Sequence, residues 1–298
     1  MVTGFADDQK PFLPMASRLA NETNCLVGVA CLPGFDDRED KPWISHKKER
    51  PDGYTFDDWS ACLREAVKAL RSKSTCQTKP KLIAIFHDWG VSAGLIWANR
   101  AIADGSELAP DEIVCFDVLQ NPSADDEKLS FRQILINHYY QYMFAFAFVT
   151  SRYLGDVLGI IAFVSTLIPL LLFGLSPTGK VDDDTRNNKL GQPSIKHMLY
   201  MAYPYLNMVK CGLKRMSKQQ MHEDCRLPSD LKKTPLLYLF GTDKNANFHT
   251  DQTLNILQKE CEEKRSKSKA IPVDGAGHYL FLQKPDICFD HVVEFMKS

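Results

Sequence analysis

Apolar residues fall along this chain in two rhythms. Short unbroken runs are "CLVGVA" from residue 25, "KLIAIFH" from 81, "EIVCFDV" from 112, "PLLYLF" from 235 and "KAIPV" from 269. They have strand length and little polar alternation, which predicts strands covered on both faces. Between them, at 56–72, 91–104, 250–264 and 285–297, apolar residues recur at helical spacing. Strand and helix alternating in this way predict an α/β fold, a mostly parallel sheet with helices on both faces. The interval 121–230 is different: aromatic, helix-rich and broken by the polar "KVDDDTRNNK" at 180–189. It predicts a helical cap inserted between sheet strands, leaving 1–120 and 231–298 as one core.

One stretch stands apart even from the cap. From Val157 to Gly179 there is no charged residue, enough to meet the length test for a membrane span. Elsewhere the composition is that of a globular protein, with 44% hydrophobic and 24% charged residues and a formal net charge of −1. Mixed signs along the chain leave no electrostatic grip for nucleic acid. The 9 cysteines are scattered and never spaced C-x-x-C, which argues against zinc sites and a disulfide framework and for a reducing, intracellular compartment. "MVTGFADDQK" lacks the regions of a secretory signal. The expected location is cytoplasmic or peripheral on an intracellular membrane.

The run at 81 ends on Asp88, between a histidine and a tryptophan and just before a helical pattern. An acid on a strand-to-helix turn lies at the carboxyl end of a sheet, where open α/β folds place ligands. Asp is also a favoured helix N-cap, and the turn alone supports either reading.

The sheet pattern, "FHDWG" at 86–90, a helical insertion and "GAGHYLFLQKP" near the end together resemble the α/β-hydrolase fold. That fold's nucleophile elbow is written G-x-S-x-G, with nucleophile, acid and histidine in chain order. With Asp in place of Ser, the elbow is similar to that of epoxide hydrolases and haloalkane dehalogenases. The resemblance implies Asp88 as nucleophile, His278 as general base and Asp243, in "LFGTDK", as the acid orienting it. Asp243 also reads as a turn former, and Asp117 at the end of the "EIVCFDV" run is the reserve acid. "YYQYMF" nominates Tyr140 and "YPYLNM" nominates Tyr205 as lid hydroxyls, although aromatics at helical spacing also serve as core. "TGFADD" at 3–8 is similar to the family's H-G-F segment, so backbone N–H groups of Phe5 and Trp89 are the implied oxyanion hole; "LPGFDD" at 32–37 matches a further loop. Only Met1 and Val2 stand for the strand leading into the first of these loops, so the N-terminal strands are expected to be missing.

The implied reaction opens an epoxide through an ester on Asp88 and then hydrolyses it, needing a small lipophilic substrate, water and no cofactor or metal. Two alternatives share the chain: a dehalogenase or ester hydrolase on the same site, and a membrane-associated protein of impaired catalysis. A single crossing at 157–179 would separate Asp88 from His278. The segment is therefore expected as a lid helix broken at Pro169 or as a monotopic element, with membrane contact or a lipophilic substrate preferred.

Overall fold

The computed structural model of the protein describes residues 1–5, 7–36, 50–75, 79–119, 131–172, 194–213 and 225–298, with 131–138, 171 and 211–213 in backbone alone. Among the described residues four strands, β1 (Ile83–His87), β2 (Glu112–Phe116), β3 (Leu236–Gly241) and β4 (Lys269–Val273), form a sheet in that order with every pairing parallel. Alternate side chains sort to opposite faces. Phe86, Ile113, Cys115, Leu236 and Tyr238 pack into one apolar cluster; Ile85, Val114, Phe116, Leu237 and Leu239 pack into the other.

Helices cover both faces. They are α1 (Leu13–Thr23), α2 (Phe56–Ser72), α3 (Trp89–Ala103) and, later in the chain, α8 (Asp251–Glu262), α9 (Leu280–Gln283) and α10 (Pro285–Lys297). α2 starts where Thr55 and Asp58 close a reciprocal capping box, and it buries Trp59 and Leu63. Of these helices, α1 is not foreshadowed by the apolar spacing; it buries Met15, Ala16 and Leu19.

The run at 25 does not form a strand. Only Ala30 makes a bridge, to Val2, and Val2 also bridges Phe86 of β1. A ladder is as long as the shorter partner, and here the partner is Met1 and Val2. The Val2 N–H donates to Ile85 O at 2.9 Å, His87 N–H to Val2 O at 3.0 Å, and Ala30 N–H to Met1 O at 2.9 Å. The sheet is short on this side, as expected, yet the two residues are held between β1 and residue 30.

Between β2 and β3 lie α4 (Phe131–Leu154), α5 (Asp156–Leu172), α6 (Ile195–Met201) and α7 (Tyr203–Leu213), with α4 packed against each of the other three. Gly155, at φ 103°, takes the positive angle that folds α5 back along α4, where Phe163 stacks on Phe144 at 4.8 Å. Contrary to expectation, α5 is not broken at Pro169 but continues to Leu172. One missing N–H bond does not stop a helix whose inner side, Phe163 and Leu170, is already packed. Among the described residues no helix is long and apolar enough to cross a membrane. The polar break at 180–189, most of the basic cluster after Lys210, and residues 173–179 lie outside the described residues.

Candidate active site

The elbow is a backbone feature first. Asp88 joins β1 to α3 at φ 54° and ψ −129°, a left-handed conformation that costs a non-glycine residue about 1–3 kcal/mol. Its side chain makes no capping bond to α3. Instead Oδ1 accepts the N–H of Phe5 at 2.6 Å, and the N–H of Trp89 also reaches the carboxylate. Gly4 permits this approach, since a Cβ there would run into the Asp88 carboxylate. Phe86, bulky at an elbow position where a small residue is usual, has its ring against Gly94 of α3, where a Cβ would collide with it.

His278 follows β4 and is buried. Its Nε2 lies 3.3 Å from Asp88 Oδ2, and its Nδ1 lies 2.6 Å from Asp117 Oδ2. The histidine is therefore held by Asp117, not by Asp243. Asp117 ends β2 at φ 61° and is fully buried, and β2 lies beside both β1 and β3. Asp243 sits on an exposed turn after β3 whose N–H donates to Ala276 O at 2.8 Å. The turn-forming reading of Asp243 is the one its position fits. The remaining oxygen of Asp117, Oδ1, accepts Gly241 N–H at 3.0 Å and the ammonium of Lys244, whose side chain is only 2% exposed.

These contacts set the charges. Burial disfavours the imidazolium, but hydrogen bonds and charge from Asp117 and Asp88 outweigh it and raise the His278 pKa to about 9. Burial acts to raise the Asp88 pKa, yet the His278 hydrogen bond and charge and the Trp89 N–H bring it below the usual carboxylate value. His87, whose ring lies 4.4 Å from that of His278, is driven down to about 3, chiefly by burial and then by the His278 charge. It stays neutral, with Nε2 3.1 Å from the His278 carbonyl.

The roof is aromatic. Tyr140 and Tyr205 are buried with rings 5.9 Å apart, and Tyr205 lies edge-on to Phe5 at 5.1 Å and to Trp89 at 5.3 Å. Burial raises both phenol pKa values and the Asp88 charge raises them further, which puts both hydroxyls in its field. Tyr203, two residues before Tyr205, is packing: its hydroxyl accepts from Trp59 Nε1 at 2.8 Å and donates to Pro33 O at 2.7 Å. Asp88, His278, Phe5, Trp89, Tyr140 and Tyr205 thus converge, with Asp117 in place of Asp243.

Two residues at this site carry no signal in the sequence. Asp7 is 5% exposed and its Oδ2 has no hydrogen-bond partner; burial and then the Asp88 charge raise its pKa to about 7, against a lowering influence of the Tyr279 side chain. Tyr279 follows His278 and feels the charges of Asp7 and Asp88. Neither spacing nor a motif distinguishes an acid in "ADD" from a turn residue.

No protein-family model matches the chain, and no curated protein matches it. Solved structures do. A loop variant of a haloalkane dehalogenase from Bradyrhizobium elkanii superposes with TM-score 0.58 at 12% identity, over 99% of this chain and 87% of that one. A laboratory-evolved potato epoxide hydrolase gives 0.55 at 14% identity, over 99% and 91%. AqDC, which recognises and cleaves the ring of the Pseudomonas quinolone signal, gives 0.56 at 14% identity, over 100% and 91%. Likeness at these identities is a likeness of fold: the chain has the α/β-hydrolase fold.

Proposed function

We propose that the protein is a hydrolase that opens epoxides through a covalent ester on Asp88. The observation that carries this reading is a carboxylate on a strained elbow, with Oδ1 on the Phe5 N–H and Oδ2 facing His278. Asp88 attacks a ring carbon of the epoxide and the carbon–oxygen bond opens. The oxygen anion develops under Tyr140 and Tyr205, which donate hydrogen bonds and a proton to it. Neutral His278 then takes a proton from water, and hydroxide adds to Cγ of Asp88. The negative charge falls on Oδ1, already in contact with the Phe5 N–H. Collapse expels the diol oxygen, which takes the proton from His278; the proton left on the Asp88 carboxyl then returns to His278, and the tyrosinate is reprotonated by the proton that His278 gave up when the ester formed. Asp117 holds the imidazole in the tautomer with Nε2 free.

The dehalogenase reading would use the Trp89 indole to hold halide, and that ring lies edge-on to Tyr205 at 5.3 Å. The Tyr140–Tyr205 pair over a carboxylate favours an epoxide. A single turnover in ¹⁸O-water tests the route: the label should enter Asp88 and leave the first diol unlabelled, whereas direct attack by water labels the diol at once.

The substrate class is lipophilic and the protein meets it at a lipid surface. On α4 and α5, Tyr153, Leu154, Val157, Ile161 and Leu172 are all more than half exposed, a larger apolar face than a lid needs to close. Co-flotation with phosphatidylcholine vesicles tests this part, and a protein that stays at the bottom of the gradient contradicts it.

A further inference from the structure

The cation behind the triad is the least expected group in the molecule. Lys244 is 2% exposed at its side chain, and its ammonium contacts Asp117 Oδ1, lies 3.4 Å from the Asp117 carbonyl and sits 5.1 Å from the centre of the Phe248 ring. Burying an ammonium costs several kcal/mol unless it is paired. Burial draws its pKa down while Asp117 draws it up. Together with the triad it completes a row of alternating sign: Lys244, Asp117, His278, Asp88.

The row has a consequence for the ester reading, on which this inference rests. While Asp88 is ionised, two anions flank His278 and hold it as a cation. An ester on Asp88 removes one of them, and what remains is Asp117. If Asp117 acted alone, its full charge would favour the imidazolium and leave less of the histidine as free base. With Lys244 on its other oxygen, the charge of Asp117 is shared between two cations. We propose that Lys244 is a positioning residue that couples the proton of His278 to the charge of Asp88, so that the histidine becomes a free base when the ester forms. The proton released restores the tyrosine that protonated the opened oxygen, and the base then activates water. Lys244 also fixes the carboxylate rotation, leaving Oδ2 for Nδ1.

The other titratable groups around the row are His87 and Asp7 on the His278 side, Tyr279 beside His278, and Tyr238 and His249 on the Asp117 side. Tyr238 donates to the Asp117 carbonyl at 3.2 Å and lies 2.9 Å from His249 Nδ1. His249 is held near 4, by burial and then by Lys244. None of these supplies a second cation near neutral pH.

The test is an NMR titration of the His278 ring, its resonance identified by its loss in His278→Gln, with no substrate present. Asp88→Asn supplies the neutral state that the ester would create. Lys244→Gln keeps a donor toward Asp117 but not the charge, and Lys244→Met, of similar shape, removes both. In the Asp88→Asn background each should raise the proton affinity of His278 about tenfold or more, one pH unit. Lys244→Arg should titrate like the parent. An unchanged midpoint in both Lys244→Gln and Lys244→Met overturns the inference. A shift in Lys244→Met alone also overturns it, because geometry rather than charge would then be responsible. Should Lys244→Met fail to fold, Lys244→Gln carries the decision. A shifted titration in a protein that forms no ester leaves the electrostatic coupling standing and removes the hydrolase reading, so the two failures are distinct.

Discussion

The floor and the roof of the site are built on opposite principles. The floor carries its charges at the carboxyl ends of parallel strands of one sheet: Asp88 after β1, Asp117 after β2, His278 after β4, each with a partner within hydrogen-bond reach. The roof, from α4 and α7, offers neutral phenols among rings, Tyr140 and Tyr205 beside Phe144. Sheet ends place backbone N–H groups and carboxylates within tenths of an ångström, which charge stabilisation needs. The helices above place two buried phenols among aromatic rings. Precision lies below and dryness above.

The largest effect should separate two carboxylates of the core. Asp117→Asn should slow ester hydrolysis by about four powers of ten, since His278 loses the partner that fixes its tautomer. Asp243→Asn should leave the rate within about twofold, its side chain being exposed and Nδ1 being engaged by Asp117. Stopped-flow decay of the intermediate reads both, and the reverse order of damage would return the role to Asp243.

Next comes the cost of keeping acid on the floor. Asp7 binds a proton in the folded protein up to about pH 7, against 3.8 for its ordinary value, chiefly because of burial. The share of folding stability linked to the Asp7 proton is thus fully present below about pH 4 and lost as pH rises through 7. Asp7→Asn should be indistinguishable from wild type near pH 4 in urea unfolding and more stable by roughly 4 kcal/mol above pH 7. Equal stabilisation at both pH values would mean that Asp7 is not protonated in the folded state.

The roof should give smaller, step-specific losses. Tyr140→Phe and Tyr205→Phe should each slow ester formation about a hundredfold and leave ester hydrolysis unchanged. A variant that slows both steps alike would place that tyrosine in packing. Smallest of all, Ile161→Ser with Leu172→Ser on the exposed side of α5 should abolish vesicle flotation while turnover of a water-soluble epoxide stays the same. Loss of turnover would make that face part of the lid's closure.

The difference between floor and roof also decides what could be read from the chain. Four strands announce themselves because a strand buried on both faces has nowhere to put a polar residue, as in "LIAIF". Asp88 and His278 stand out because each ends such a run in a motif. The motif's usual position is held by Asp243, whereas the carboxylate that meets His278 Nδ1 is Asp117, and that choice depends on which turn faces inward. Strand order and the φ of one residue settle that, and neither is written in local spacing. The run at 25 fails for a related reason: a strand needs a ladder partner, and only Met1 and Val2 supply one. Asp7, Tyr279 and Lys244 are invisible for the same cause, since each matters through burial against residues distant in the chain.

The most direct test of the account is the mass of the His278→Gln protein after exposure to a lipophilic epoxide. Asp88 should still attack, while no base activates water, so the ester should accumulate. The account predicts one substrate mass added, on the peptide that carries Asp88, and none in Asp88→Asn. An unmodified protein that still turns the epoxide over, or an adduct on any other residue, would contradict it.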